Sequence, residues 1–401
     1  MSRVSRTQSQ VASSAEAHRV SGLVGEASPT SISTDADEYG MANLRVLVVH
    51  DWIVAWGGAE RTVEQILRIF PRADLLVGVI GKGSKDLNAV TRVARETWLS
   101  HVPFSRTHHR WFLPAYPAAF ASVNTKGYDL ILSSSSAFAK SVRARAGVPH
   151  LCYCHTPPRY LWDLQSEYWG DGSMAGRALR YAGPALRALD RVAASGVTRF
   201  IANSHFVADR IRRAYGRTAT VIYPPVSPKA GAEPAARRTG SFLSLGRLVP
   251  YKRVDLVIRA ANAAGKPLIV AGDGPERARL ESIAGPTVTF LGEVSEGVAG
   301  QLMESCGAMV FCAEEDFGIA PVEANAHGLP VVAFGRGGAT ETLVDGVTGT
   351  FFAGTSPECI GEAMQRAEDL FWDESVIRAN ATRFSPERFR RDLSAVVRSL
   401  F

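Results

Sequence analysis

Short apolar runs alternate with amphipathic segments along most of this chain, from about residue 44 onward. In the first half, the predicted strands are Arg45–Val49, Leu75–Val79, Leu130–Ser133, His150–Cys154, Arg199–Ala202 and Thr220–Tyr223. Between them lie segments with the 3.6-residue period of helices, such as Glu60–Ile69 and Phe206–Tyr215. Short β-rich runs separated by helices predict a parallel sheet with helical crossovers.

A second series of the same kind follows a break that is rich in Pro, Ala and Gly. Its predicted strands are Ser241–Leu245, Leu268–Ala271, Thr287–Leu291, Ala308–Phe311, Val331–Phe334 and Gly349–Phe352. The last residues, from Pro386 to Phe401, have the pattern of an amphipathic helix. The pattern predicts an α/β fold with two Rossmann-like, doubly wound parallel-sheet domains that face each other across a cleft.

The same pattern places the domain boundaries. Residues 1–42 are rich in Ser, Ala, Thr and Glu without a period, and they are predicted to form a disordered extension. The first domain is predicted to span 43–226, the linker 227–240 and the second domain 241–384. The helix within 385–401 is predicted to pack back on the first domain.

Composition excludes several classes of protein. With 401 residues, 46% hydrophobic and 21% charged, the chain is long enough for two globular domains. No apolar run approaches the ~20 residues that a membrane-spanning helix needs, and the first residues lack the apolar core of a signal peptide. A cytoplasmic protein is therefore expected. The five cysteines include no C-x-x-C pair and are expected to be reduced.

Positive charge is concentrated in one part of the chain. The formal net charge is +6, and Lys and Arg outnumber Asp and Glu strongly between His101 and Arg217. Four arginines fall near one face of the predicted helix Met174–Ala194, namely Arg177, Arg180, Arg187 and Arg191. This face is either a solvated helix surface or a surface that binds anionic lipid at the membrane. No nucleic-acid motif accompanies it, so nucleic acid is not an expected partner.

The segment Cys312–Pro330 carries the strongest chemical signal. Glu315 follows a predicted strand, and a helix is predicted to begin near Gly318–Pro321, with Glu323 in its first turns. A helix N-terminus presents unpaired N–H groups and about half a positive charge, which suits a phosphate. The N–H groups expected at the ligand are those of Phe317, Gly318 and Ile319. Alternatively, Glu323 only stabilises the helix dipole.

Two cations follow the first predicted strand of the second domain. Arg247 offers a planar guanidinium that suits phosphate oxygens, and Lys252 adds a second positive charge. Fixed cations stabilise a diphosphate as it departs, which elsewhere is the task of a metal ion. Taken alone, the two residues could equally be surface cations in a loop.

In the first domain, a glycine turn and a histidine stand at strand ends. Gly58 opens a predicted helix after the first strand, but the turn lacks G-x-G-x-x-G, which disfavours a dinucleotide-dependent dehydrogenase. His155 follows the strand His150–Cys154 within the run YCHTPPRYLWD. A lone histidine is more often structural than functional, so its context must decide.

Several segments together resemble the donor-binding domain of glycosyltransferase family 4. They are GRLVPYKRVDLVIRA, VAGDGPERARL, VTFLGEVSE and EEDFGIAPVEANAHGLPVVAFGRGGATETLVDGVTG. The resemblance covers nearly everything from Leu44 to the C-terminus. It implies the GT-B fold and sugar transfer that retains the anomeric configuration without a bound metal.

The resemblance also implies roles for individual residues. Arg247 and Lys252 would hold the diphosphate of a nucleotide-sugar donor. Glu315 would contact the hydroxyls of the transferred sugar, Glu323 would hold the ribose, and Val294 would lie beside the base.

The first domain matches the same family. The loop at Gly58 would let the backbone approach the donor phosphate and the acceptor. The run CHTPPRYLWD resembles the CHTPxRYxWD segment of bacterial mannosyltransferases that assemble O-antigen and exopolysaccharide repeat units. That likeness implies that His155 lies beside the sugar, while Tyr160, Trp162 and Asp163 shape the acceptor side. It also implies GDP-mannose as donor and a polyprenyl-diphosphate-linked saccharide as acceptor, at the inner face of the membrane.

Other interpretations remain open at this point. A UDP-sugar could replace GDP-mannose, and a nucleotide-sugar epimerase or a non-catalytic nucleotide-sugar-binding module could share the architecture. The epimerase would need acid and base groups on both sides of the sugar, and only His155 is suitably placed. The sequence Asp35-Ala36-Asp37 imitates a metal-binding D-x-D motif, but no predicted strand precedes it.

Overall fold

The computed structural model describes residue 41 and residues 43–84, 89–163, 174–227 and 238–401. At residues 89, 92 and 174–179 the description covers the backbone alone. The predicted extension 1–42, apart from Met41, lies outside the described residues, and so does most of the predicted linker 227–240. The Asp35-Ala36-Asp37 sequence lies outside them too.

Seven parallel strands form the first sheet, in the order β3-β2-β1-β4-β5-β6-β7. They are β1 (Val46–His50), β2 (Asp74–Val77), β3 (Arg95–Glu96), β4 (Leu130–Ser135), β5 (His150–Cys154), β6 (Arg199–Ala202) and β7 (Ala219–Val221). The strand order reverses between β1 and β4, which pair in parallel. In open α/β sheets, ligands bind at such a switch point, beyond the carboxyl ends of the strands.

Six parallel strands form the second sheet, in the order β10-β9-β8-β11-β12-β13. They are β8 (Phe242–Leu245), β9 (Leu268–Ala271), β10 (Val288–Gly292), β11 (Ala308–Phe311), β12 (Val331–Phe334) and β13 (Gly349–Phe352). Its switch point lies between β8 and β11. The predicted α/β fold with two Rossmann-like parallel sheets is confirmed.

Helices connect the strands of both sheets. In the first half they are α1 (Gly58–Ile69), α2 (Ala89–Val93), α3 (Tyr116–Ala121), α4 (Arg159–Trp162), α5 (Met174–Ser195) and α6 (His205–Tyr215). In the second half they are α7 (Val254–Ala264), α8 (Arg277–Ser282), α9 (Glu296–Ser305), α10 (Ile319–Ala326), α11 (Ala339–Thr342), α12 (Pro357–Asp369), α13 (Glu374–Ala381) and α14 (Pro386–Arg398). Short 3₁₀ turns occur at Trp98–His101, His109–Phe112, Ala139–Ser141, Pro250–Lys252 and Thr382–Phe384.

The central strands are apolar because helices cover both faces of each sheet. Strands β1, β4 and β5 are buried along their whole length, as expected for parallel sheets between two helical layers. Strand β4 ends in Ser133, Ser134 and Ser135, all fully buried. Buried hydroxyls need hydrogen-bond partners, so the end of β4 must contact other polar groups.

The C-terminal helix α14 belongs to the core of the first sheet. Its apolar face packs through Phe389, Leu393 and Val397, which share a buried cluster with the strands of that sheet. The ring of Phe389 lies edge-on to that of Tyr153, with 5.6 Å between centroids. Arg390 Nη1 also donates to Gln65 Oε1 of α1 at 2.7 Å.

The chain therefore passes between the two halves twice, once in each direction. The outgoing segment follows β7 and includes Tyr223 and Val226, and the returning segment precedes α14. The Val226 backbone N–H donates to the Phe384 carbonyl at 2.8 Å, which joins the two segments. The rings of Tyr223, Phe317 and Phe384 pack together beside this bond, with centroids 5.2–5.7 Å apart.

Candidate functional site

Polar and charged residues gather where the carboxyl ends of the two sheets face each other. In the second half, β8 leads into Arg247 and Lys252, and β11 leads into the loop before α10. In the first half, β1 leads into the glycine turn before α1, and β5 leads directly into His155. This is the position that doubly wound sheets use for ligands.

Helix α10 begins at the residues that the sequence predicted. Gly318 precedes it with φ of +81°, a backbone conformation that favours glycine. No side chain caps this end of the helix, so the N–H groups of its first turn are available to an anion. Glu323 lies one turn further along, with its side chain 31% exposed.

Lys252 reaches the loop before α10. Its Nζ lies 3.2 Å from Glu315 Oε1, and both side chains are about one fifth exposed. Burial opposes the charge of Lys252, but the attraction of Glu315 outweighs it and raises the pKa of the ammonium. Lys252 therefore stays charged at neutral pH. Arg247 is exposed and forms no hydrogen bond or ion pair with any described residue.

The glycine turn is one of the places where the two halves contact each other. A Cβ added to Gly58 would lie 2.1 Å from Ile319 Cδ1, so a larger residue at this position would require the Ile319 side chain to move. Three residues later, Arg61 Nη1 donates to Glu323 Oε1 at 2.9 Å. Arg61 Nη2 also bonds Glu296 of α9. Gly58, Ile319 and Glu323, all predicted site residues, thus meet across the cleft.

A cavity of about 630 Å³ adjoins this contact. Trp56 and Arg61 line it from the first half, and Val294, Glu296 and Glu323 line it from the second half. The volume falls within the range typical of small-molecule sites. Val294 and Glu323, predicted to lie beside a base and a ribose, therefore share one cavity.

Asp316 forms a second contact between the halves, deeper in the structure. Its carboxylate accepts hydrogen bonds from Arg159 Nε at 3.0 Å and from Arg210 Nη1. The hydroxyl of Thr156 also donates to Asp316 Oδ1, at 3.3 Å. Arg210 is 4% exposed, so this charged cluster is largely removed from water and its partners depend on one another.

His155 is half-buried and hydrogen-bonded on one side of its ring. Its Nε2 lies 2.8 Å from the hydroxyl oxygen of Ser134. Its other nitrogen, Nδ1, has no hydrogen bond to a described residue. Burial and the nearby charge of His50 lower the pKa of His155 to about 4, so its ring is neutral at pH 7.

Of the three residues predicted on the acceptor side, Trp162 and Asp163 have partners within the first half. The Trp162 indole N–H donates to Asp190 Oδ2 at 2.8 Å, and its ring lies 4.9 Å from the Arg191 guanidinium. Asp163 accepts from Arg210 Nε at 3.0 Å. Tyr160 is half-buried. Their role towards an acceptor remains a prediction.

Three elements of the site escaped the sequence analysis. Asp316 stands within the motif beside Glu315, but its partners Arg159 and Arg210 are 157 and 106 residues away. The contact of Arg61 with Glu323 spans 262 residues. The partners of His155 belong to strand ends, and the signal for them was the run of serines at the end of β4.

Metal-binding clusters and membrane helices are both absent from the described part of the chain. No group of three or more His, Cys, Asp and Glu side chains there is arranged to hold a metal ion. No helix there is long and apolar enough to cross a membrane. On α5, Arg180 and Arg191 are exposed and Arg187 is half-buried, while the side chain of Arg177 lies outside the described residues.

Two family models match consecutive parts of this chain. The model described as "Glycosyltransferase Family 4" matches residues 56–230, which contain the glycine turn and His155. The model described as "Glycosyl transferases group 1" matches residues 232–382, which contain Lys252 and α10. Together the two matches include the glycine turn, His155, Lys252 and the start of α10.

Curated relatives match a smaller part of the chain. One is the D-inositol 3-phosphate glycosyltransferase of Mycobacterium tuberculosis (strain ATCC 25618 / H37Rv), 36% identical over 134 residues. This match covers 30% of the present chain and 27% of that relative. The match therefore spans only about a quarter of the relative's length.

Solved structures match over most of the chain. The lipopolysaccharide outer core galactosyltransferase WaaB, in its apo form, has a TM-score of 0.63 and 15% sequence identity, covering 89% of this chain and 100% of its own. Anabaena HepE in complex with UDP and glucose has a TM-score of 0.62 and 21% identity, with the same two coverages. At sequence identities this low, the structural similarity shows a common fold alone.

Proposed function

We propose that this chain, which belongs to glycosyltransferase family 4 and has the GT-B fold, transfers a sugar from a nucleoside-diphosphate sugar to an acceptor hydroxyl. One observation carries the proposal. The uncapped start of α10 contacts the glycine turn of the first half at Gly58, and the ammonium of Lys252 is paired with Glu315 in the loop before that helix. This arrangement suits a diphosphate held between the two sheets.

In this proposal, the second half of the cleft holds the donor. Lys252 and Arg247 bind the diphosphate, together with the first N–H groups of α10. Glu315 accepts hydrogen bonds from the transferred sugar, and Glu323 accepts them from the ribose. The 630 Å³ cavity beside Val294 accommodates the base.

The proposed reaction retains the anomeric configuration. The bond from the anomeric carbon to the diphosphate oxygen breaks, and its electron pair stays with the phosphate. The acceptor hydroxyl oxygen then bonds the same carbon on the same face, and its proton passes to the departing phosphate oxygen. Lys252, Arg247 and α10 stabilise the charge that develops on that phosphate. The fixed cations support a reaction that needs no metal ion.

For the donor, we propose GDP-mannose. The support is the run CHTPPRYLWD around His155, which is similar to a segment of bacterial mannosyltransferases. A UDP-sugar is the second candidate, because Anabaena HepE was solved in complex with UDP and glucose and with UDP-glucose. Both donors present the same diphosphate to Lys252, so the base and sugar contacts must distinguish them.

For the acceptor, we propose a polyprenyl-diphosphate-linked saccharide at the inner face of the membrane. The exposed Arg180 and Arg191 of α5 support contact with an anionic membrane surface. The protein would then be cytoplasmic and peripheral to the membrane. Flotation with acidic phospholipid vesicles should show binding that salt weakens, and no binding at low salt would contradict this surface.

The donor is tested by thermal shift and donor hydrolysis in the presence of EDTA. GDP-mannose, UDP-glucose, UDP-N-acetylglucosamine and UDP-galactose are compared. Stabilisation or slow hydrolysis with GDP-mannose alone supports both the donor and metal independence. A response confined to one UDP-sugar overturns the mannose assignment and retains sugar transfer, whereas no response to any donor contradicts sugar transfer itself.

A further inference from the structure

Three adjacent strands of the first sheet bring buried polar groups together behind His155. His50 is the last residue of β1, Ser134 lies near the end of β4, and His155 follows β5. The side chain of His50 is 4% exposed, and Ser134 is fully buried. None of these contacts is needed to hold the sheet, which is paired through its backbone.

The chemistry of the Ser134 backbone and side chain indicates the direction of each hydrogen bond. His50 Nδ1 lies 3.2 Å from the carbonyl oxygen of Ser134 and 3.1 Å from its hydroxyl oxygen. A carbonyl oxygen only accepts, so His50 Nδ1 must carry a proton and donate. Among the described residues, the Ser134 hydroxyl has two hydrogen-bond neighbours, His50 Nδ1 and, at 2.8 Å, His155 Nε2. Because His50 Nδ1 already carries a proton, the buried hydroxyl satisfies its own proton by donating to His155 Nε2.

This arrangement determines the tautomer of His155. Because Nε2 accepts from Ser134, it must carry the lone pair. In a neutral imidazole the other nitrogen then carries the proton. His155 therefore has its proton on Nδ1, the nitrogen that no described residue binds.

Glu60 contacts His50 on the side of the ring that faces away from Ser134. Its Oε1 lies 3.6 Å from His50 Nε2, and its Oε2 accepts from the Gly57 backbone N–H at 3.0 Å. Burial opposes charge on His50, but hydrogen bonding and attraction to Glu60, with a smaller contribution from Asp51, raise its pKa. Asp51 is held elsewhere, because it accepts from the backbone N–H groups of residues 136–139.

We infer that Glu60, His50 and Ser134 are positioning residues that fix His155 as a hydrogen-bond donor toward the cleft. The inference rests on the proposed function. It assigns to His155 a contact with an acceptor atom of the donor substrate, either a sugar oxygen or a phosphate oxygen. It also excludes His155 as the base for the acceptor hydroxyl, because its lone pair is already occupied by Ser134.

The same series of side-chain contacts, from Ser134 through His50 to Glu60, connects His155 to the glycine turn. Glu60 lies in the first turn of α1 and holds the N–H of Gly57, next to the Gly58 that contacts Ile319. Glu60, which raises the pKa of His50, thus also holds the loop proposed to approach the donor phosphate.

The first arm of the test is kinetic. Ser134→Ala removes the donor to His155 and leaves His50 its bond to the Ser134 carbonyl. We expect kcat to fall about tenfold, as the loss of one hydrogen bond implies, with the donor KM unchanged within about twofold. Ser134→Thr restores the hydroxyl and should recover kcat.

Ser133→Ala is the matched control. Ser133 is also fully buried, and its hydroxyl oxygen lies 2.8 Å from His150 Nε2, the same distance as in the Ser134–His155 pair. Its loss should cost comparable stability and leave kcat within about twofold of the parent. Equal losses of kcat in Ser133→Ala and Ser134→Ala would overturn the inference.

The second arm reads the tautomer directly and does not depend on activity. Long-range ¹H–¹⁵N spectra of ¹⁵N-histidine-labelled protein at pH 7 should show the proton on Nδ1 of His155, a signal assigned by its loss in His155→Gln. Ser134→Ala should shift this signal toward the Nε2–H form. A proton on Nε2 in the parent protein overturns the inference even if the variant fails to fold. If the parent transfers no sugar, the proposed function fails and the spectra still decide the tautomer.

Discussion

The two sides of the cleft differ in the interactions that hold their candidate ligand-binding side chains. The second half uses charge, with Lys252 paired to Glu315 at 3.2 Å and both side chains partly exposed. The first half uses neutral hydrogen bonds, with His155 held by the buried Ser134 at 2.8 Å. The interaction between charges near solvent is weakened by salt. A buried hydrogen-bond chain fixes one geometry and one tautomer.

This difference separates two tasks. A diphosphate gains negative charge as it departs in the proposed reaction, and charged side chains held beside it stabilise that charge. The hydroxyls of the transferred sugar stay neutral and need an oriented contact, which a fixed imidazole N–H provides. Each task can therefore be disturbed independently of the other.

The largest effect is expected from the charged side. Lys252→Ala removes the ammonium from the proposed diphosphate site, and we expect kcat/KM to fall by about 10³-fold. Steady-state kinetics with the identified donor measure this loss.

Lys266→Ala is the matched control for Lys252. Lys266 is also 19% exposed and also pairs with a glutamate, Glu368, but it lies outside the cleft. It should keep its activity within about twofold. Similar losses in both lysine variants would show that general charge, not the site of Lys252, supports activity.

A smaller effect is expected on the stability of the fold when the pH is lowered, because a buried, neutral histidine of the first half must then take up a proton. His150 is fully buried, and burial lowers its pKa to about 4. Because its pKa is lower in the folded than in the unfolded state, its contribution to stability is complete above pH 6.5 and is lost as pH falls toward 4. Between pH 7 and pH 5 the loss is about 2 kcal/mol.

Urea unfolding at several pH values measures this dependence. His150→Gln removes the titrating group, and its stability should fall less between pH 7 and pH 5 than that of the parent. An identical pH dependence in the two proteins would assign the acid sensitivity to other groups.

The smallest effect is expected on donor affinity, from removal of the partly exposed ion pair between the two sides of the cleft. Arg61 is 36% exposed and occupies Glu323, the proposed ribose ligand. Arg61→Ala frees Glu323, so we expect the donor Kd to fall severalfold, as loss of a surface ion pair allows. Calorimetric titration with the donor measures the change, and Arg212→Ala, which removes an exposed pair with Asp209, serves as control. A higher Kd in Arg61→Ala would mean that Arg61 itself binds the donor.

The sheets could be predicted from the sequence because their strands are locally encoded. Predicted and observed bounds agree for strands such as β5, β9 and β11, which are apolar runs between turn residues. Strand β3 was missed because Arg95–Glu96 is a two-residue edge strand without an apolar run. The helix start at Gly318 was predicted for the same local reason, since strand, glycine and helix are contiguous.

Contacts between distant residues could not be predicted in this way. Arg159 was visible in the CHTPPRYLWD run, yet its partner Asp316 belongs to the other half. The serines at the end of β4 carried no chemical meaning until β1 and β5 placed histidines beside them. Buried polar residues at the carboxyl ends of neighbouring parallel strands are a pattern that a sequence analysis could have used, since such residues must pair with one another.

The bond between Val226 and Phe384 has a mechanical consequence. If the two connecting segments crossed between the halves at distant points, they would oppose relative movement of the halves. Two connecting segments that are bonded side by side instead define a single axis. Here both passages of the chain run together beside the packed rings of Tyr223, Phe317 and Phe384. We therefore expect any relative movement of the halves to be a rotation about this axis, with sliding disfavoured. A donor would then enter and leave by changing one angle, and residue pairs across the cleft would return to the same register each time it closes.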